Sequence, residues 1–386
     1  MFAKLSRAIA LLAVTGVLAP AAAGAATTVY TPRLTDPSPG AMYPRVVRLE
    51  HSGDANGRLL ATFERYTGTT PAFPIFESTD DGATWTQVSE VTDQHYGWGM
   101  RYQPMLYELP REVGDMPVGT LLAAGNAIPD DLSRTSLEVY KSTDHGRTWS
   151  YLSTITTGGR AEVDNDAVWE PFLMLDRRGR LVAFYSDERH KADRYNQLLA
   201  HQVSSDGVHW GPEVYDVAIP DGAKRPGMAV VSRLPNGRYF MTFEVVGGWP
   251  NGVVHFKRSR DGTDWGDPRD LGTPLVARDG TRLRSMPYNA WSPAGGEDGT
   301  LLAGAQAQVG PGGEEISRAR LFANRRLGRG RWTPVPAPVA RTADVWCDGW
   351  SAPLVPSADG SRLLELASVS IGPEHCRIDA ATAPTG

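Results

Sequence analysis

The chain has 386 residues, including 41 Gly, 29 Pro, 11 Trp, 13 Tyr and 10 Phe, and a net charge of −5. So mild an acidic excess argues against a nucleic-acid partner, whose affinity would rest on clustered Lys and Arg. Two cysteines without clustered histidines do not make a zinc site, and abundant Gly and Pro favour many short strands over long helices.

The chain opens with Lys4 and Arg7, an apolar run from Ala8 to Leu18, and the small-residue pattern Ala23-Gly24-Ala25. That order reads as a secretory signal peptide over residues 1–25. The apolar run is well short of the ~20 residues a spanning helix needs. The expectation is therefore an exported, extracellular protein with no membrane attachment after signal removal, and one domain over residues 27–386.

Strand-like segments then alternate with one recurring turn. Leu59–Arg65 and Pro74–Glu77 lead into Ser78-Thr79-Asp80-Asp81-Gly82-Ala83-Thr84-Trp85. Thr120–Ala124 and Leu137–Lys141 lead into Ser142-Thr143-Asp144-His145-Gly146-Arg147-Thr148-Trp149. Leu181–Tyr185 and Leu198–Val203 precede the shorter Ser204-Ser205-Asp206-Gly207-Val208-His209-Trp210. Tyr239–Val245 and Val253–Lys257 precede Ser259-Arg260-Asp261-Gly262-Thr263-Asp264-Trp265. After Thr300–Ala305 a decayed copy remains at Gly328-Arg329-Gly330-Arg331-Trp332, and Leu363–Val369 is a last strand. Asp bonds nearby amides, Gly takes positive φ, and Trp pins the turn. The copies recur at a step of roughly 60 residues, which divides the mature chain into about six units. The turn resembles the Asp box of sialidase-like propellers. The expected fold is an all-β, six-bladed, sialidase-like β-propeller with its Asp boxes on the rim as scaffold.

Chemistry is expected in segments between the boxes, nearly one per repeat. They are Tyr43-Pro44-Arg45, Tyr96–Pro104, Val168-Trp169-Glu170-Pro171-Phe172, Tyr185–Arg189, Arg225–Met228 with Phe240–Glu244, and Pro287–Pro293. Glu170 and Glu244 lie in apolar or aromatic surroundings, where an ionised carboxylate is unfavourable unless paired or used. Two carboxylates facing one pocket suit glycoside hydrolysis, with Trp and Tyr faces stacking on sugars. A structural ion pair with Arg45, Arg101 or Arg225 is an equally open reading of the same residues.

Across roughly Tyr43 to Pro293 these segments resemble family 93 of the glycoside hydrolases, the exo-arabinanases. The resemblance implies a propeller that cuts α-1,5-linked L-arabinan from its non-reducing end and releases arabinobiose with retention, without metal or cofactor. It implies Glu170 as general acid/base and Glu244 as nucleophile. It also implies a substrate pocket drawn from Arg45, Arg101, Tyr102, Trp169, Asp187, Arg225, Tyr288 and Trp291. After Pro293 the likeness weakens: a pocket tyrosine is expected in the last blade, yet no tyrosine follows Tyr288. Trp350 or Asp348, in Asp344–Trp350, is the candidate for that place.

Two other readings stand beside this one. A sialidase would clamp a carboxylate with an arginine triad, but the aromatic-Arg-Ile-Pro start of that family is absent here. A non-catalytic carbohydrate-binding propeller would keep the aromatic pocket and not need both glutamates. The expected partner is a polysaccharide or oligosaccharide, bound by a monomer. Cys347 and Cys376 could form a disulfide tying down the C-terminal stretch, or remain buried thiols.

Overall fold

The computed structural model describes residues 25–248, 250–341 and 345–385. The expected signal peptide lies outside them except for Ala25, as does Asp344. The described chain is almost entirely antiparallel β-structure, with two short 3-10 turns at Gly53–Ala55 and Lys191–Asp193.

Five sheets have the regular four-stranded form of a propeller blade. The first runs Ala41–Arg48, Leu59–Arg65, Phe73–Ser78, Thr86–Val91. The second runs Met100–Glu108, Leu121–Ala127, Thr135–Ser142, Ser150–Gly158. The third runs Val168–Leu175, Leu181–Asp187, Leu198–Ser204, Val214–Val217. The fifth in chain order runs Tyr288–Ser292, Thr300–Gly304, Arg320–Asn324, Thr333–Pro336. The last combines Leu354–Pro356, Arg362–Ser370 and Cys376–Pro384 with the early strand Thr27–Tyr30, which pairs with Cys376–Pro384. That pairing closes the ring and covers an edge that would otherwise be open.

The expectation of six like blades is corrected in the fourth sector. There Arg225–Arg233, Tyr239–Val246 and Val253–Ser259 continue into Arg282–Arg284, Ala307–Val309 and Glu315–Ser317, a path of seven strands with Thr273–Pro274 also on Val253–Ser259. The reason is local. Val253 pairs with Arg284, and an excursion of the fifth sheet, Ala307–Ser317, adds to the same edge. The sheet is extended where a regular blade would end.

The recurring turns are scaffold, as expected. Ser78 Oγ accepts the Gly82 amide at 2.9 Å, and Asp80 accepts the Thr84 amide at 2.8 Å. The tryptophan, however, is not confined to its own repeat. Trp149 and Trp210 donate their indole N–H to Ser89 and Ser153 of the preceding sheet, at 3.2 and 3.1 Å. A Cβ on Gly146 (φ +82°) would sit 3.0 Å from Leu60 of the first sheet, so glycine is required for this close approach. The turns thus staple neighbouring blades together. The largest apolar cluster fills the space between the second, third and fourth sheets, with Phe172, Phe184, Tyr185, Tyr239 and Phe243 among its members.

Candidate active site

The innermost strands share one irregularity. Each carries a non-glycine residue in the left-handed region, at Tyr43 (φ 54°), Gln103 (57°), Glu170 (63°) and Met228 (58°), with Met286 (53°) and Ser351 (55°) just ahead of the inner strands of the last two sheets. In the first four sheets the ladder register shifts at that point. Three of these residues precede a proline: Pro44, Pro104 and Pro171. Proline brings no amide to the ladder, which suits a bulge. A bulge re-aims side chains, and here it turns them toward the central channel.

The amides freed by the bulges point to the preceding sheet. Gln103 N donates to Glu64 at 2.7 Å, and Glu170 N donates to the Gln103 side chain at 3.1 Å. Met228 N donates to Glu170 at 2.9 Å, and Met286 N donates to Glu244 at 2.8 Å. Each acceptor therefore belongs to one sheet and its donor to the next.

The cleft at this end encloses about 470 Å³. Tyr43, Glu64, Tyr66, Tyr102, Gln103, Trp169, Glu170, Arg225, Trp346 and Trp350 are in its wall. Burial raises the Glu170 carboxyl, opposed by the Ser186 hydroxyl (2.6 Å), the Met228 amide and the charge of Arg225. Burial, followed by the charge of Glu170, pushes Glu244 up to about 7. Glu170 has two direct donors where Glu244 has one, so the ionised form is better held at Glu170. Arg225 is fixed beside them by Glu188 and Gln197, both at 2.8 Å, and Trp169 donates to Glu188 at 2.9 Å.

Of the expected pocket residues, Tyr102, Trp169, Glu170 and Arg225 line the cleft, and Glu244 lies within electrostatic reach of Glu170. The other five are placed elsewhere. Arg45 is buried beneath the cleft, donating to Ser351 and stacking 4.2 Å from the Tyr43 ring. Arg101 is drawn to Asp130 at 2.5 Å and lines a neighbouring groove. Asp187 is fully buried under Arg189, because strand alternation turns Ser186, not Asp187, toward Glu170. Tyr288 lines a cavity with Val46, Met105 and Tyr239. Trp291 packs against the cluster between the fourth and fifth sheets and donates to Asp298 at 2.9 Å. Trp350, one of the two candidates for the place of a last-blade tyrosine, lines the cleft, with Trp346 across from it at 5.5 Å between ring centroids. Asp348 is buried, accepting the Ser370 amide, and is outside the cleft wall.

Glu64 is the cleft carboxylate that the sequence reading passed over. It is buried, accepts from Tyr66 Oη at 2.7 Å as well as from Gln103 N, and burial pushes it up to about 7. Its register matches that of Glu244: Glu64 pairs with Met42 and Glu244 with Gly227, each one residue before the left-handed position. The signal was present as a repeated Thr-Phe-Glu, at 62–64 and 242–244.

Among the described residues, one group of three could surround a metal ion: Asp187, His190 and Glu213. It lies outside the cleft, and Arg189 already bridges its two carboxylates at 2.5 and 2.6 Å.

A propeller cleft lined by glutamates, tryptophans and tyrosines has the groups that glycoside hydrolysis uses. Solved structures give the particular kind. An α-L-arabinanase of Penicillium chrysogenum, complexed with arabinobiose, is 35% identical over 94% of this chain and 99% of its own, with a TM-score of 0.83. A family 93 α-L-arabinofuranosidase of Fusarium graminearum, also with arabinobiose, is 33% identical over 94% and 98%, with a TM-score of 0.81. A microbial sialidase, Hadza Hz136, shares the fold at 16% identity and a TM-score of 0.59. No family model and no curated protein matches the chain. The chain belongs to glycoside hydrolase family 93.

Proposed function

We propose that this hydrolase is an exo-acting α-1,5-L-arabinanase that removes arabinobiose from the non-reducing end with retention, using Glu170 and Glu244. The observation that carries the reading is the placement of Glu170 and Glu244 on adjacent sheets, each anchored by an amide of the next sheet. It is supported by the two family relatives, whose structures hold arabinobiose. The hydrogen bonding favours the reverse of the roles expected from the sequence. Glu170, with two donors, is the nucleophile; Glu244, holding a proton near neutrality, is the acid/base.

In the first step Glu244 gives its proton to O5 of the departing arabinan as the C1–O5 bond breaks, while a Glu170 oxygen bonds to C1. In the second, Glu244 takes a proton from water, the water oxygen bonds to C1, and the Glu170 ester breaks. Two inversions give net retention, and this requires carboxyls about 5–5.5 Å apart. Trp346, Trp350 and Trp169 supply the faces on which sugar rings stack.

A neutral furanoside needs no carboxylate clamp. The Arg45 bond to Ser351 and the Arg101 pair with Asp130 support that reading over a sialidase triad. The finer fold reading is also ours: Arg225–Arg233 to Val253–Ser259, with Thr273–Pro274, serve as the sixth blade, and Arg282–Ser317 forms an annex on it. We further infer an exported monomer whose residues 1–25 are a signal peptide.

The test is incubation with linear debranched arabinan followed by product analysis. Arabinobiose alone is the expected result. A ladder of oligomers would make the enzyme endo-acting, and sialoside hydrolysis without arabinan cleavage would overturn the reading.

A further inference from the structure

The sequence has no long basic run in its mature part, yet the fold gathers arginines from three segments on one surface. The decayed turn before Trp332 is the clearest part. In the intact copies an aspartate ties the turn: Asp80, Asp144, Asp206 and Asp261 accept the amides of Thr84, Thr148, His209 and Asp264 at 2.8–2.9 Å. Here Asn324 stands where the intact copies have serine: it accepts the amides of Arg326 (2.8 Å) and Gly328 (2.9 Å), as Ser78 accepts those of Asp80 and Gly82, and it donates to Arg329 O (3.0 Å). The turn keeps its shape without a carboxylate: Arg326 occupies the place of the turn aspartate, and it, Arg329 and Arg331 are exposed.

Next to this turn is an open groove of about 590 Å³, lined by Arg258, Arg329, Arg331, Phe256 and Trp332. Arg258 lies 5.2 Å above the Phe256 ring and donates to Gly328 O, which fixes its guanidinium at the groove edge. Burial, and then the charges of Arg329 and Arg238, hold Arg258 below the usual arginine range, so like charges crowd here. Among the described residues none of Arg238, Arg258, Arg329 and Arg331 forms an ion pair. A chain of net charge −5 thus keeps a local surplus of unneutralised guanidiniums, that of Arg258 held in place.

We propose that this groove docks an anionic polysaccharide whose sugars carry carboxylates, a polyuronate, at a site separate from the catalytic cleft. Guanidinium forks match carboxylates bidentately, which suits one acidic group per sugar. Duplex nucleic acid places a charge every ~1.7 Å, far denser than the few guanidiniums of this groove can match. Docking would hold the enzyme on an acidic matrix while the cleft stays free for a neutral chain end.

The test is affinity electrophoresis and titration of the full protein with polygalacturonate, its fully methyl-esterified form and duplex DNA, at low and high salt. The expected result is salt-sensitive binding to polygalacturonate that esterification abolishes. Arg258→Ala/Arg329→Ala/Arg331→Ala should weaken it at least tenfold while debranched-arabinan turnover stays within twofold of the parent. Arg329→Glu/Arg331→Glu, on the exposed turn alone, should show the same direction with no loss of fold. Absence of binding by the parent, equal binding by either variant, equal binding of the esterified chain, or tighter binding of DNA would overturn the proposal.

Discussion

The amide of Met228 donates to the carboxylate of Glu170 at 2.9 Å, so the backbone of the fourth sheet fixes the reactive group of the third. This bond and the Ser186 hydroxyl give Glu170 the better-stabilised anion of the pair. Glu170→Gln should therefore lose turnover beyond rescue by added nucleophiles. Glu244→Gln should lose about 10²–10⁴-fold and be rescued by azide, giving a glycosyl azide of retained configuration. Both variants should still bind arabinobiose by calorimetry. Azide rescue of the Glu170 variant alone, with a glycosyl azide of retained configuration, would reverse the roles.

The pH profile follows from the same geometry. Glu244 must be protonated to act, and it is pushed up to about 7, so kcat/KM should fall as pH rises through that region. Glu170 must be ionised. The groups acting on it are Ser186, the Met228 amide, Arg225 and Glu188. Ser186→Ala removes a donor to the anion and raises the Glu170 carboxyl further. The acid limb should move to higher pH by about 1–2 units, the equivalent of one charge-assisted hydrogen bond. An unchanged limb with lower kcat would make Ser186 merely structural.

Glu64 gives a stability prediction with a definite sign. Its folded carboxyl is raised to about 7 from an unfolded value of 4.5. Its contribution is fully present below pH 4.5, declines as pH rises to about 7, and is lost above that. Glu64→Gln removes the ionisation, so the variant's melting temperature relative to the parent should climb between pH 4.5 and 7 and then level off. The full difference is on the order of 3 kcal/mol. A constant offset at all pH values would show that Glu64 is not held neutral in the fold.

The Cys347–Cys376 bridge spans 29 residues and anchors the segment bearing Trp346 and Trp350. Cys347→Ala/Cys376→Ala should reduce stability by roughly 3–4 kcal/mol on loop-entropy grounds. It should also raise KM for arabinan more than it lowers kcat, since the loosened part is cleft wall. A lower melting temperature with unchanged KM would separate the bridge from substrate binding.

The scaffold was legible because its turns repeat. Ser-x-Asp-x-Gly-x-x-Trp is a local device, and its spacing carries the closed β architecture. The extended fourth sheet was not legible, because it depends on Arg284 meeting Val253, a pairing with no local signature. At the site, Glu170, Glu244, Tyr102, Trp169 and Arg225 could be marked from charge among aromatics. Ser186 and Asp187 are told apart only by the uninterrupted alternation of their strand, which turns Ser186 to Glu170 and leaves Asp187 with Arg189. Arg101 is paired with Asp130, well separated in sequence, a contact with no local signature. Glu64 was readable only by aligning the two Thr-Phe-Glu strands.

The left-handed residues of the inner strands have a consequence for redesign. Tyr43, Gln103, Glu170, Met228, Met286 and Ser351 occupy like sockets around one axis, and the backbone tolerates an aromatic, an amide, an acid, a thioether or a hydroxyl in them. Function is then a matter of which socket is filled with what. Moving an acid from one socket to its neighbour, together with its partner one sheet on, would rotate the reaction axis about the channel while leaving the scaffold intact.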